Sequence, residues 1–282
     1  MNDFHSRHRS LFDPAVLETK RVLLVGAGSV GSALAMLLVR SGVEHVTIFD
    51  PDVVSASNLC RTVYVAADVG APKVHVLAKH LRAIRESVDI DARDESLVDV
   101  DDDALSAEIE RSDLVVATTD HPPTQARLGA LSYHRKPAVF AGVYAEGVGG
   151  EVLWTRPDET PCYACVLGAV RGANAPPRGK TDYGVATGQL AAEPALGVDI
   201  LAVTVRATKI GLALLLAPHD ARFAEFVDPT RSVLLVGNRA GWIWREPFET
   251  VWARAVRKDD CVCHLAPGAS TADLDLDTGD EP

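Results

Sequence analysis

The segment Gly26-Ala27-Gly28-Ser29-Val30-Gly31 constrains the fold of this chain more than any other. It follows the short apolar run Arg21-Val22-Leu23-Leu24-Val25 and precedes residues 30–41, which hold no Gly or Pro between Gly31 and Gly42. An apolar run of this kind ending at a glycine reads as a buried parallel strand, and the uninterrupted stretch as a helix. His45 to Phe49 is the next strand, so the three elements form one βαβ unit. In that setting the glycines let the backbone turn sharply and approach phosphates. The helix start supplies amide donors and a positive dipole end. Asp50, 19 residues after Gly31, ends the second strand and is placed to accept hydrogen bonds from a ribose. Gly26, Gly28, Gly31 and Asp50 are therefore the candidate nucleotide-binding residues. The loop alone does not say which nucleotide, because NAD-dependent dehydrogenases use the same one.

Further along, Val74, Leu77, Leu81 and Ile84 recur at helical spacing and predict a helix over 72–86. Leu114 to Ala117 and Ala138 to Val143 read as strands around a helix at 123–134. This alternation implies an α/β fold: a Rossmann-like, doubly wound, mainly parallel sheet. After Gly150 the pattern changes. Residues 151–155 look like a strand, 171–188 like a mobile loop, and 196–216 like a long apolar helix buried on both sides. Two strand-like runs, 232–236 and 241–245, meet at Gly237-Asn238 and resemble a hairpin, which extends the sheet with antiparallel strands. No repeat and no clear second domain appear. The expected organisation is one domain over 1–270, with a nucleotide-binding half at about 20–145 and a second half at about 146–270. A disordered acidic tail follows at 271–282, where five acids occur without a base.

Apolar residues make up 47% of the 282 residues and charged residues 24%, the balance of a soluble globular protein. The net charge of −11 argues against a nucleic-acid partner, since phosphate backbones need a basic surface. No apolar stretch follows the basic N-terminus and no run is long enough to span a bilayer, so no membrane association is expected and the expected location is cytoplasmic. Thiols would be reduced there, and closely spaced cysteines then point to a metal rather than disulfides.

Beyond Asp50 the sequence reads Asp50-Pro51-Asp52-Val53-Val54-Ser55-Ala56-Ser57-Asn58-Leu59-Cys60-Arg61, then Gly70-Ala71-Pro72-Lys73, and later Thr118-Thr119-Asp120. A nicotinamide site does not need this polar set. A triphosphate site does: cations must neutralise the phosphates as pyrophosphate leaves, and an acid must hold magnesium. Together with Gly26-Ala27-Gly28-Ser29-Val30-Gly31, these strings resemble the E1-like adenylating superfamily of the ThiF/MoeB/HesA type, related to ubiquitin-activating enzymes. The resemblance runs from the N-terminus to about Cys263. It implies ATP and magnesium as cofactors, with Asp50 on the ribose hydroxyls, Asn58, Arg61 and Lys73 on the phosphates, and Asp120 on magnesium. It also implies a homodimer in which an arginine before the first strand reaches the partner's site. Arg7 is the candidate and Arg9 the alternate. Each residue has a local reading as well: Asp50 capping the turn it precedes, Asn58 capping a short helix, Asp120 capping the following helix, Arg61 and Lys73 as solvated surface charges. Two positions depart from the family pattern. Thr62 stands where glutamine is usual, and His121 where asparagine is usual.

Cys162 and Cys165 are separated by a two-residue gap, which lets both thiolates reach one tetrahedral zinc. Cys261 and Cys263 would supply the second pair and tie the C-terminal segment to the core as a structural zinc knuckle. The resembling family carries such a zinc, commonly with a two-residue gap in both pairs. The second pair here is one residue short, so His264 competes with Cys263.

No cysteine lies between Cys165 and Cys261, where resembling enzymes usually place a catalytic one. Cys60, inside the nucleotide motif, reads as a buried small residue. The resemblance then implies attack of a C-terminal carboxylate on the α-phosphorus of ATP, giving an acyl-adenylate and pyrophosphate with no thioester of the enzyme's own. The carboxylate would belong to a small ubiquitin-like or sulfur-carrier protein, or to a peptide. Two alternatives compete: a non-catalytic partner-binding scaffold of the same fold, and an NAD-dependent oxidoreductase.

Overall fold

Short strands that are apolar on both sides require a sheet covered on both faces. The computed structural model, which describes residues 3–176, 194–258, 261 and 263, has that arrangement. The strands are β1 (Arg21–Val25), β2 (His45–Phe49), β3 (Asp89–Arg93), β4 (Leu114–Ala117), β5 (Ala138–Val143), β6 (Gly149–Thr155), β7 (Val233–Gly237) and β8 (Thr250–Ala253). They form one sheet in the order β3-β2-β1-β4-β5-β6-β7-β8. Pairing is parallel from β3 to β5 and antiparallel from β5 to β8.

The helices are α1 (Pro14–Glu18), α2 (Ser29–Ser41), α3 (Lys73–Ile84), α4 (Asp102–Arg111), α5 (Pro122–Ser132), α6 (Tyr163–Gly172) and α7 (Gly197–Leu216). Side-chain alternation along β1 feeds two cores. Val22 and Leu24 pack with Leu34 and Leu38 of α2, Leu77 of α3 and Ala207 of α7. Leu23 and Val25 pack with Leu105 and Ile109 of α4, Leu128 of α5 and Val166 of α6. Chain order runs outward from β1 through β2 to β3, then returns to β4 on the other side. The crevice between the C-terminal ends of β1 and β4 is thus a topological switch point, where ligands bind in open α/β sheets.

Several expectations need correction. Residues 241–245 are not a strand: Gly241 and Trp244 form an isolated bridge, and Trp242 takes a φ of 50° that a strand cannot hold. The Trp244 ring is spent on packing, so close to Gly149 and Gly237 that a Cβ on either would collide with it. The hairpin partner of β7 is β8, further along the chain. Its residues Thr250–Ala253 are too few to give a clear alternation.

The helix α7 is not buried all round, because Val198, Leu201 and Val205 are 70%, 44% and 50% exposed. Residues 171 and 172 end α6 rather than begin a loop, and 177–188 of the expected loop lie outside the described residues. The tail at 271–282 and His264 also lie outside them. Among the described residues no helix is long and apolar enough to cross a membrane.

Candidate nucleotide site and cysteine cluster

The glycine loop leaves β1 and enters α2 at the switch point. Gly26 has a φ of 98°, and a Cβ there would lie 2.8 Å from the Thr119 nitrogen. A Cβ on Gly31 would lie 1.9 Å from the Gly26 carbonyl oxygen, so only glycine closes this turn. Gly28 differs: a Cβ there would meet nothing within 4 Å. It is the N-cap of α2 and has no side-chain cap, so the first amides of the helix are left to a ligand or solvent.

Asp50 is built into this loop. One carboxylate oxygen accepts from the Ala27 amide at 2.6 Å and the other from the Asp52 amide at 2.9 Å. Burial pushes its carboxyl above the usual range, against the pull of the Lys73 ammonium and the Ala27 amide. Lys73, the first residue of α3, lies 3.9 Å from Asp50 and 2.6 Å from Asp52. Tyr64, buried, donates to the Ala27 carbonyl at 2.7 Å. Burial and the Asp50 charge push its phenol far up, so it stays a donor. Sequence reasoning missed Tyr64 and Asp52. The only signal was their place within the string from Asp50 to Lys73.

The β4 end joins the same crevice. Thr118 donates to the Gly26 carbonyl at 2.9 Å, which sets the following residues beside the glycine loop. Asp120 is exposed, and among the described residues its carboxylate has no hydrogen-bond or ion-pair partner. The cap of α5 is His121, whose Nδ1 accepts from the Thr124 amide at 3.3 Å. The capping reading of Asp120 is thus taken by the residue that departs from the family pattern. Thr62, the other departure, also serves the local backbone by donating to the Asn58 carbonyl at 2.8 Å. Asn58 itself accepts from the Ser55 amide at 3.0 Å, which is the capping alternative for that residue. Arg61 follows in the same turn, its amide bonded to the Asn58 carbonyl at 3.1 Å. Its Cα lies 3.5 Å from where a Cβ on Gly197 would stand, against the start of α7.

The glycine loop, Asp50 and Lys73 are brought into direct contact, with Thr118 linking the Asp120 segment to them. Arg7 is not brought there. Its segment is anchored by His5, which lies against Gly42 at the far end of α2 and bonds to Glu18 at 2.9 Å. That end is about 20 Å from Gly28 by helix rise. Arg7 therefore cannot serve the glycine loop of its own chain.

On the α6 side of the sheet, Cys162, Cys165, Cys261 and Cys263 converge with their sulfurs all within 4.8 Å of one another. The closest pairs, Cys162 with Cys261 and Cys165 with Cys263, are 3.2 and 3.5 Å apart, too far for disulfides. Four sulfurs about 2.3 Å from one zinc would stand about 3.8 Å apart, so the cluster fits a structural zinc. The Cys162 amide donates to the Cys263 sulfur and the Lys258 amide to the Cys165 sulfur, both at 3.3 Å. Such N–H···S bonds favour thiolates. Burial acts the other way and pushes the Cys165 thiol up to about 12. A cation at the centre would offset that cost. Cys60, by contrast, is exposed rather than buried as expected, and its thiol donates to the Ser57 carbonyl at 3.5 Å.

Residues 10–220 match the ThiF family. The chain is 36% identical over 160 residues to the molybdopterin-synthase adenylyltransferase of Escherichia coli, covering 56% of this chain and 63% of that protein. The chain thus spans somewhat under two thirds of such curated relatives. It is 31% identical over 236 residues to the sulfur carrier protein adenylyltransferase of Thermus thermophilus, covering 78% of this chain and 84% of that one. Among solved structures, E. coli MccB with ATP shares the fold, with a TM-score of 0.68 at 15% identity over 93% of this chain and 74% of that one. With more than half its length matching the family, and the glycine loop, Asp50 and Lys73 assembled at the switch point, this chain belongs to the ThiF family.

Proposed function

We propose that this protein is an adenylyltransferase that uses ATP and magnesium to activate a C-terminal carboxylate. The acceptor is a ubiquitin-like or sulfur-carrier protein, or a peptide. The observation that carries this reading is the convergence of the glycine loop, the Asp50–Lys73 pair and an uncommitted Asp120 at the neighbouring C-terminal ends of β1, β2 and β4. Asp50 holds the ribose, the α2 start and Lys73 receive phosphates, and Arg61 and Asn58 complete the phosphate grip. Asp120 holds magnesium, which when bound supplies positive charge against the phosphates. The acceptor carboxylate attacks the α-phosphorus, the bond to the β-phosphate oxygen breaks, and pyrophosphate leaves. Positioning and charge neutralisation carry this chemistry, with little covalent work for the protein.

Three further readings go with it. The four cysteines hold a structural zinc. The enzyme is a cytoplasmic homodimer whose Arg7 serves the partner's site. The remoteness of Arg7 from its own glycine loop supports this, as does the exposed apolar stripe of α7 beside Arg61. Residues 1–270 work as one unit, supported by the continuous sheet. Because no cysteine lies between Cys165 and Cys261, the product is the acyl-adenylate, passed on to another molecule's nucleophile.

Exchange of labelled pyrophosphate into ATP tests the proposal. A small carrier ending in Gly-Gly should support exchange, and omitting it should stop exchange, because the acyl-adenylate must form before pyrophosphate can reverse it. Asp120→Ala should abolish the signal. Full exchange in that variant would refute the site assignment. Absence of exchange across carriers and C-terminal peptides would refute the activity.

A further inference from the structure

Asp120 stands free while the backbone on both sides of it is held. The His121 amide donates to the Thr119 hydroxyl at 3.2 Å, and His121 caps α5. The Thr119 carbonyl, in the peptide unit that joins Thr119 to Asp120, accepts from Gln125 Nε2 at 2.6 Å. Gln125 is 2% exposed, and its Oε1 accepts from the Tyr163 hydroxyl at 2.8 Å. Tyr163 immediately follows Cys162, the N-cap of α6 and a member of the cysteine cluster. The two helices touch where this line passes: a Cβ on Gly129 of α5 would lie 2.5 Å from the Tyr163 Cβ.

Packing alone does not account for the line. The Tyr163 ring lies 4.2 Å from the Phe140 ring, centroid to centroid, within an apolar layer. Phenylalanine would fill that place with no hydroxyl to satisfy. Leucine or methionine would likewise suit a buried position on α5. A buried amide and a buried phenol are costly there unless paired, and here they are paired end to end. The line terminates on the peptide that aims Asp120. A ligating carboxylate must be held to roughly half an ångström, and supporting hydrogen bonds provide that precision.

We propose that Tyr163 and Gln125 are positioning residues for Asp120. Through them the helix capped by Cys162 sets the direction of the Thr119–Asp120 peptide, so the cysteine cluster and the metal-binding end of the nucleotide site are mechanically joined. This inference rests on the reading of Asp120 as the residue that holds the nucleotide's divalent cation.

The test uses full-length protein with Mn²⁺ as the probe ion. Binding is followed by electron paramagnetic resonance in the presence of ATP, beside binding of metal-free ATP by calorimetry. Tyr163→Phe should raise the Kd for Mn²⁺ with ATP by roughly threefold to tenfold, the scale of one lost hydrogen bond. Metal-free ATP affinity and zinc content should not change. Gln125→Met should give the same split and serves if Tyr163→Phe folds poorly. Combining the two should add little, since they act in series. Equal loss of metal-free ATP affinity would mean a merely structural role and overturn the proposal. So would unchanged Mn²⁺ binding in both variants while Asp120→Ala weakens it. If Asp120→Ala itself leaves Mn²⁺ binding intact, the reading of Asp120 fails, and the proposal falls with it for that separate reason.

Discussion

Lys73 holds Asp52 at 2.6 Å but stands 3.9 Å from Asp50, although Asp50 is buried beside it and Asp52 is largely exposed. The shorter contact is the one that water screens, so it holds Lys73 weakly. Lys73 is thus parked on a partner it can leave, beside the Asp50 carboxylate that accepts from the Ala27 amide of the glycine loop.

Nucleotide binding should expose that asymmetry. Lys73→Ala should weaken ATP at least about tenfold, a loss of about 1.4 kcal/mol. Asp52→Asn should leave affinity within about threefold or tighten it, because its ion pair competes with the phosphates. Calorimetric titration of ATP into each variant checks this. A large loss in Asp52→Asn would mean that the pair itself belongs to the phosphate grip.

Removing one hydroxyl should loosen the loop. Tyr64→Phe leaves the Ala27 carbonyl without its 2.7 Å donor in a buried place. Thermal unfolding should report a loss of about 1–2 kcal/mol, and ATP affinity should fall several-fold. Unchanged affinity alongside reduced stability would restrict Tyr64 to folding.

The cysteine cluster should behave as one closed metal site. Purified protein should carry about one zinc per chain. Cys162→Ser and Cys263→Ser should each remove it and lower stability by more than about 2 kcal/mol, since metal-binding energy at such sites is folding energy. Metal analysis of chelator-free preparations decides the matter. A zinc retained in Cys263→Ser would give the fourth place to His264.

Acid should release the N-terminal anchor. The hydrogen bond from Arg85 holds the Glu18 carboxyl below its ordinary value of 4.5, with His5 adding to it. A depressed carboxyl contributes stability that is fully present above the unfolded value and is lost as pH falls through the folded one. Melting temperature should therefore decline below pH 4.5, and Glu18→Gln should flatten that part of the curve. Parallel curves for the two proteins would show that the Glu18 pairing contributes nothing measurable.

Much of the nucleotide half was legible because its signals are local. The apolar runs of β1, β2 and β4 are bounded by glycine or polar residues, that of β5 begins after Pro137, and all four match the observed strands residue for residue. What escaped reading depends on contacts distant in sequence. The edge strand β3, Asp89-Ile90-Asp91-Ala92-Arg93, is largely polar and looks like a loop until β2 pairs with it. Trp242 and Trp244 have strand-like character, but tertiary packing overrides it. At the site, the glycines and Asp50 announce themselves by spacing. Tyr64, Gln125 and Tyr163 act through side chains that meet only after folding, and His121 looked like a departure until its capping role was visible.

The cysteine cluster also imposes an order of events on a chain made from its N-terminus. All five parallel strands and Tyr163 leave the ribosome before β7, β8 and the last two ligands exist. Cys263 follows Cys165 by 98 residues, about 5–20 s of synthesis. During that interval the candidate nucleotide residues from Gly26 to Asp120 are already made, while Cys162 and Cys165, at the start of α6, have only each other of the four-cysteine cluster. A metal held by the four cysteines would thus be a late clasp in biogenesis, and its closing would mark a chain whose last antiparallel strands have been delivered.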